Sequence, residues 1–364
     1  MTGAAACLAG FGGVSVVIHG SSGCYYYPTT LLHAPLHGTF ILDNEVIFGS
    51  EDRLSEVIGG LTNREGRIAV ITTCVPAVLG EDIKSILEAY DVILVDSPGF
   101  AGDVEAGYKK ALSVLDPKVD PDTPGVNIDG ACLFDPFSRG NVQEIRRLLG
   151  MASVPVATVF ADDVIDSVWH ASPFTLTTNK DFASGIGTSP GGTLGFEELR
   201  TSFKNLETRF DGADAGPVLA EIEAQETRIV HACDKFLRRY DPPSVLVLAG
   251  SSYADFAART INRYLDADIL GIGTRNEPSE SVYPARQVTG LNEVRSMIET
   301  NRPDLVIGSS FERQVSGDPA FVGLIPPLRG NVRLAPRPLA GINGTLSFME
   351  HVLNACMDRR AGKS

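Results

Sequence analysis

The sequence predicts an α/β protein built from doubly wound units with parallel sheets. Three observations carry this expectation. Short apolar, β-branched runs recur along the whole chain, several of these runs are continuous rather than alternating, and helical patterns separate one run from the next. Continuous apolar runs belong to strands buried on both faces, as in parallel sheets, and alternation of strand with helix is the signature of βαβ units.

The strands are expected at Val14–Ile18, Arg67–Thr72, Val92–Val95, Gly125–Ile128, Val154–Phe160, Ser244–Leu248, Ala267–Ile272 and Asp304–Ile307. Helices are expected at Glu81–Ala89, Val142–Leu149, Ala254–Leu265 and Leu291–Glu299. Residues 185–214 are rich in Gly, Thr and Pro and read as a boundary; a long helix near Pro217–Arg239 follows, and Pro242-Pro243 stops it before a new domain begins at Ser244. At 364 residues the chain is too long for one ordinary core, and two or three domains are expected.

Composition narrows the function. The apolar fraction of 43% and charged fraction of 21% are those of a folded globular protein. A formal charge of −14 repels phosphate backbones and anionic membrane surfaces, so nucleic acid is not an expected partner. No run reaches the roughly 18–20 apolar residues that cross a bilayer, and residues 1–13 lack the basic start of a signal peptide. A cytoplasmic protein with no membrane partner is expected. The six cysteines, Cys7, Cys24, Cys74, Cys132, Cys233 and Cys356, form no CxxC pair, and in a reducing compartment each is either core filler or ligand.

Two of them stand at strand ends. The first strand runs into His19-Gly20-Ser21-Ser22-Gly23-Cys24-Tyr25-Tyr26-Tyr27, and the strand Arg67–Thr72 runs into Thr73-Cys74. Ligands of open α/β sheets lie beyond the carboxyl ends of strands. Gly20 and Gly23 allow backbone to approach a bulky group, whose sulfides backbone N–H groups could bind. His19 could bond such a group or be a satisfied structural residue, and His33 and His37 follow the tyrosines in a loop. Alone, Cys24 reads as a small buried hydrophobe; two cysteines at equivalent places in one sheet can converge on one site.

An iron–sulfur cluster takes about four protein ligands. Two thiolates do not complete one, but a two-fold dimer doubles both. An intersubunit [4Fe–4S] cluster held by Cys24 and Cys74 of each chain, and an obligate dimer, are therefore expected. A heterodimer with a sister subunit would change that count. Classical nucleotide binding is not expected: neither GxGxxG after the first strand nor GxxxxGK[ST] is present.

These turns stand in order with Asp43-Asn44-Glu45-Val46-Ile47-Phe48-Gly49, Gly80-Glu81-Asp82-Ile83, Asp96-Ser97-Pro98-Gly99-Phe100, Gly107-Tyr108, Val126-Asn127-Ile128, Gly308-Ser309-Ser310-Phe311-Glu312-Arg313 and Arg337-Pro338-Leu339-Ala340-Gly341-Ile342-Asn343-Gly344. The ordered set resembles the nitrogenase component 1 family over nearly the whole chain. The resemblance implies three doubly wound Rossmann-like domains, placed at 1–120 with the cluster cysteines, 121–240 with the interdomain helix, and 241–364. It also implies a cluster near a subunit interface, fed by an ATP-dependent iron-protein reductase, with Cys24 and Cys74 on two of the family's ligand positions.

Members with three cluster cysteines per subunit carry one ahead of a Gly-Ala pair; here only Met1 and Thr2 precede Gly3-Ala4. Cys7, in a run of small residues, reads as core, and Cys233 and Cys356 as helix residues; Cys132 stays open. The departure favours a four-iron cluster. No equivalent of the cofactor-binding cysteine and histidine of dinitrogen-reducing members is found. The chain is thus expected to resemble the smaller tetrapyrrole reductases, of which the nickel-sirohydrochlorin diamide cyclase is one. A small-molecule substrate in a cleft, with Tyr25–Tyr27 against a flat ring, follows from that likeness. The alternatives are a non-catalytic scaffold for metal-cluster or cofactor assembly, and an interaction protein that has lost its cluster.

Overall fold

The computed structural model describes residues 1–62, 66–278, 281–330 and 332–361. They form two compact units: Met1–Phe134 with Ala157–Thr175 and Phe182–Thr188, and Asp135–Val156 with Leu176–Asp181 and the chain from Ser189 onward. Among the described residues, no helix is long and apolar enough to cross a membrane.

The first unit opens with α1 (Thr2–Leu8), β1 (Val14–His19), α2 (Ser22–Leu32), β2 (His37–Gly38), α3 (Asp43–Phe48) and α4 (Glu51–Leu61). It continues through β3 (Arg67–Thr72), α5 (Cys74–Leu79), α6 (Ile83–Leu87), β4 (Val92–Asp96) and α7 (Val104–Leu115). The strands pair in parallel in the order β2-β1-β3-β4.

The apolar runs of β1 and β3 are continuous because both sheet faces are covered. Val16, Ile18, Ala69 and Ile71 face a core that includes Leu8, Tyr108 and Leu112. Val17, Ile68 and Val70 face Leu54, Ile58, Ile83 and Leu87 on the other side. Helix α1 is made of small residues for a packing reason: a Cβ at Gly3 would stand 1.7 Å from the Val104 carbonyl oxygen at the start of α7. The expected helix at Glu81–Ala89 is the shorter α6, which starts after Asp82 because that carboxylate caps it by accepting from Ser85 N at 3.2 Å; ahead of it stands α5, which was not expected and which Gly80 ends with a left-handed φ of 70°.

Next along the chain come β5 (Val126–Asp129), α8 (Ser138–Met151), β6 (Val156–Val159) and β7 (Thr175–Thr177), the strands ordered β6-β5-β7. Two helices follow, α9 (Phe196–Glu207) and α10 (Gly216–Leu237). Helix α9 lies in the stretch taken as a boundary. Glycine-rich flanks obscure it in the sequence, but Phe196, Leu199, Phe203 and Leu206 form one buried helical face.

The remainder is β8 (Ser244–Ala249), α11 (Ser251–Leu265), β9 (Asp268–Thr274), β10 (Ala285–Gln287), α12 (Leu291–Asn301), β11 (Leu305–Gly308), α13 (Ser310–Ser316), β12 (Ala320–Gly323) and α14 (Gly341–Ala361). Its five strands pair in parallel in the order β10-β9-β8-β11-β12. The expected α/β architecture with parallel, doubly wound sheets is the one observed.

Candidate metal centre

Strands β1 and β3 are neighbours, and their last residues, His19 and Thr72, stand opposite one another. The turns carrying Cys24 and Cys74 therefore leave the sheet at the same edge. Cys24 lies in the first turn of α2, and Cys74 is the first residue of α5.

The two turns are tied together. The His19 carbonyl accepts from Thr73 N at 3.1 Å and from the Thr73 hydroxyl at 2.9 Å. A Cβ at Gly20 would stand 1.9 Å from Thr73 Oγ1, so glycine is what permits this approach. Gly23, by contrast, has open space where a side chain would project.

Both thiols are half-buried. Cys74 Sγ accepts from the backbone N–H of Gly99 at 3.1 Å, and Cys24 Sγ accepts from the Ser21 hydroxyl at 3.6 Å. Each sulfur thus receives one hydrogen bond from the chain. The Met1 amino group donates to Ser97 Oγ at 2.8 Å. Burial lowers its pKa, and negative charge at Cys74 or Cys24 acts in the opposite direction. Soft donors, open space at Gly23, and one N–H and one O–H on sulfur fit an iron–sulfur group. Among the described residues, no set of three or more His, Cys, Asp or Glu side chains is arranged to hold a metal ion.

His19 lies fully buried beneath the cysteine turns. Its Nδ1 is 3.2 Å from Thr39 Oγ1 and its Nε2 is 3.2 Å from Ser50 Oγ and 3.5 Å from Glu81. Ser50 in turn donates to Glu81 through its hydroxyl at 2.7 Å and its N–H at 3.0 Å. The network assigns the proton to Nε2, since the Ser50 hydroxyl hydrogen is already given to the carboxylate. Burial lowers the His19 pKa, opposed by Glu81. The grouping of Ser50, His19 and Glu81 is no hydrolytic triad, because Ser50 is buried and bonded to the carboxylate.

Tyr25 is equally committed: its hydroxyl donates to the Leu36 carbonyl at 3.1 Å and its ring packs edge-on against Phe40 at 4.8 Å. Tyr26 and Tyr27 are exposed. Cys7 and Cys132 are fully buried, and burial with Cys132 and Asp129 nearby pushes the Cys7 thiol well up, which disfavours the thiolate. The partners Thr39, Ser50, Thr73, Glu81 and Gly99 went unassigned in the sequence; the glycine just past the end of β4 was the one local signal.

A second strand-end position, the start of α11 after β8, is filled by the chain itself. The Asp181 carboxylate accepts from Ser252 N at 3.2 Å and from Asn276 Nδ2 at 3.0 Å. This occupies the helix N-terminus where doubly wound folds commonly hold an anion.

Comparison with known proteins agrees with this geometry. The model of the family described as nitrogenase component 1 type oxidoreductase matches residues 1–177 and 188–357. The nitrogenase iron-molybdenum cofactor biosynthesis protein NifE of Clostridium pasteurianum is 28% identical over 82% of this chain and 75% of its own length. The nitrogenase molybdenum-iron protein beta chain of Acidithiobacillus ferridurans is 27% identical over 95% of this chain and 80% of its own, whereas the beta chain of Bradyrhizobium diazoefficiens aligns over 40% of this chain and 33% of its own. The solved structure of nitrogenase Cp1 at pH 6.5 superposes with a TM-score of 0.82 at 16% identity, covering 100% of this chain and 93% of that one, and so shares the fold. With nearly its full length matched by the family model and its architecture shared, this chain belongs to the nitrogenase component 1 type oxidoreductases.

Proposed function

We propose that this chain is the iron–sulfur subunit of a nitrogenase-like, ATP-dependent reductase, with Cys24 and Cys74 as its ligands to a [4Fe–4S] cluster shared with a partner subunit. The observation that carries the reading is the pair of half-buried thiols at neighbouring strand ends, locked together through Thr73 and His19 and each accepting a hydrogen bond at sulfur. Members of the family hold iron–sulfur clusters, work with an iron-protein reductase and assemble with sister subunits, which supports the same reading.

A cluster, when bound, supplies one-electron transfer at low potential. The chain's part is to hold and tune it. The Gly99 N–H and the Ser21 hydroxyl bond the two ligand sulfurs, and Gly23 keeps the approach open. The His19, Ser50 and Glu81 network fixes both turns from below. In the same unit as the cysteines, Ile47 is 74% exposed, Phe48 86%, Val78 75% and Phe100 66%. Such an apolar surface suits a partner subunit, a second copy or a sister chain, which would complete the ligand set by symmetry.

The substrate in this reading is a small molecule of the tetrapyrrole class, and the setting is the cytoplasm. Tyr27, three residues after Cys24, shares its helix face and has an exposed ring. The proposed domain division is 1–120, 121–240 and 241–364. A second reading, a scaffold on which a metal cluster or cofactor is assembled, is favoured by the likeness to the cofactor biosynthesis protein NifE.

Anaerobic purification, iron and sulfide analysis and electron paramagnetic resonance of the dithionite-reduced protein test the proposal. A reduced-cluster signal lost in Cys24→Ala and in Cys74→Ala is expected, and wild type that stays iron-free after reconstitution overturns it. Turnover of a tetrapyrrole with iron protein and ATP selects the reductase; a cluster that transfers to an acceptor protein without turnover selects the scaffold.

A further inference from the structure

We propose that the second unit carries a pocket for an amphipathic organic anion, a molecule with an apolar body and carboxylate or phosphate groups, between the edge strand β12 and the helix α14. The cavity measures about 710 Å³, within the range of small-molecule sites. It lies in the second unit, whereas Cys24 and Cys74 belong to the first, so it is independent of the cluster reading.

Its walls combine two chemistries. Phe137, Phe321, Val322, Leu324, Leu339 and Phe348 provide apolar surface, and Arg313, Arg333, Arg337, Arg359 and His351 bring cationic or donor groups to the same space. Two aspartates, Asp318 and Asp358, also line it. Asp304 and Asp318 both pair with Arg359, so four guanidinium groups meet three carboxylates, and Arg313, Arg333 and Arg337 with Asp358 leave a local positive excess in a chain whose formal charge is −14. Such a local reversal of sign concentrates anions.

The arginines are arranged by aromatic rings and neutral acceptors. Arg333 lies over the Phe137 ring at 4.4 Å and donates to the Pro136 carbonyl at 3.3 Å. Arg313 lies over Phe321 at 5.7 Å. Arg337 Nη1 is 3.0 Å from His351 Nε2, and His351 Nδ1 is 2.6 Å from the Ser347 carbonyl, so the ring links the guanidinium to a neutral acceptor. Neither Arg313 nor Arg337 has a carboxylate partner among the described residues. Arg359 bonds Asp304 at 2.8 Å, yet its buried Nε has no partner. Stacked guanidinium planes over an apolar floor match a ligand that buries its body and presents its charge to the arginines.

The test uses the full chain and 1-anilinonaphthalene-8-sulfonate, an apolar body bearing one fixed anion, followed by fluorescence titration. One site per chain is expected, weakened about tenfold or more in Arg313→Glu/Arg337→Glu, both exposed positions whose change spares the core. The neutral analogue N-phenyl-1-naphthylamine should bind wild type and variant alike. Displacement of the probe by citrate identifies carboxylate as the recognised group, and displacement by pyrophosphate identifies phosphate. Equal affinity of the anionic probe for wild type and variant, no single-site binding, or displacement by neither anion overturns the proposal.

Discussion

The His19 carbonyl accepts both the N–H and the hydroxyl of Thr73, and this double bond joins the turn before Cys24 to the turn before Cys74. The contact is possible because Gly20 has no side chain to strike Thr73. Gly20→Ala should therefore cost about 1–3 kcal/mol in urea unfolding, the range for overpacking a filled site. Gly23→Ala, which meets open space, should stay within about 0.5 kcal/mol of wild type. Equal effects at the two glycines would contradict the close approach.

His19 gives the fold an acid sensitivity of known sign. Burial lowers its pKa below the ordinary value of 6.5. The unfolded chain then binds the proton more readily, so the stability contributed by neutral His19 is present above pH 6.5 and is lost as pH falls toward the folded pKa. Wild type should lose stability over that window, and His19→Gln should flatten the loss at the price of a lower plateau. A denaturation series at several pH values, with both proteins showing the same slope, would contradict the buried neutral assignment.

How much of this was legible beforehand follows from physics. Strands β1, β3 and β8 could be read because burial on both sheet faces demands continuous apolar runs, and Cys24 and Cys74 stood out because each follows such a run directly. Ser50, Glu81 and Thr39 could not be read: they are ordinary polar residues in separate crossover segments, gathered around His19 only by the parallel winding of the sheet. His19 could be read as a partner of the bound group or as a satisfied structural residue, and its ring nitrogens lie by Thr39 and Ser50, while the Tyr25 hydroxyl bonds Leu36. Helix α9 was masked by the glycine-rich chain around it, and α5, between Cys74 and Gly80, was too short to show a helical period.

The exposed apolar side chains of the first unit predict association in the proposed dimer. Ile47 and Phe48 protrude from α3, and burying each such side chain contributes about 1.5–3 kcal/mol. Ile47→Asp/Phe48→Asp should shift the dimer-to-monomer equilibrium by a hundredfold or more in sedimentation velocity while leaving the circular dichroism spectrum unchanged. An unaltered dimer would place the interface elsewhere.

Asp181 predicts a purely structural effect in the second unit. Removing its carboxylate leaves Ser252 N and Asn276 Nδ2 without that acceptor, a loss of about 1–3 kcal/mol for buried donors. Asp181→Ala should lower the unfolding midpoint accordingly, and added sulfate should restore part of it by occupying the start of α11. No change in midpoint would mean that the carboxylate is dispensable there.

The central claim is a cluster shared between subunits through Cys24 and Cys74, and native mass spectrometry of the anaerobically purified protein tests it most directly. The account predicts a dimer, of two copies or with a sister chain, carrying one cluster of about four irons, and a cluster-free species when either cysteine is replaced by alanine. A monomer that retains a complete cluster, or a dimer that keeps its iron without both cysteines, would contradict it.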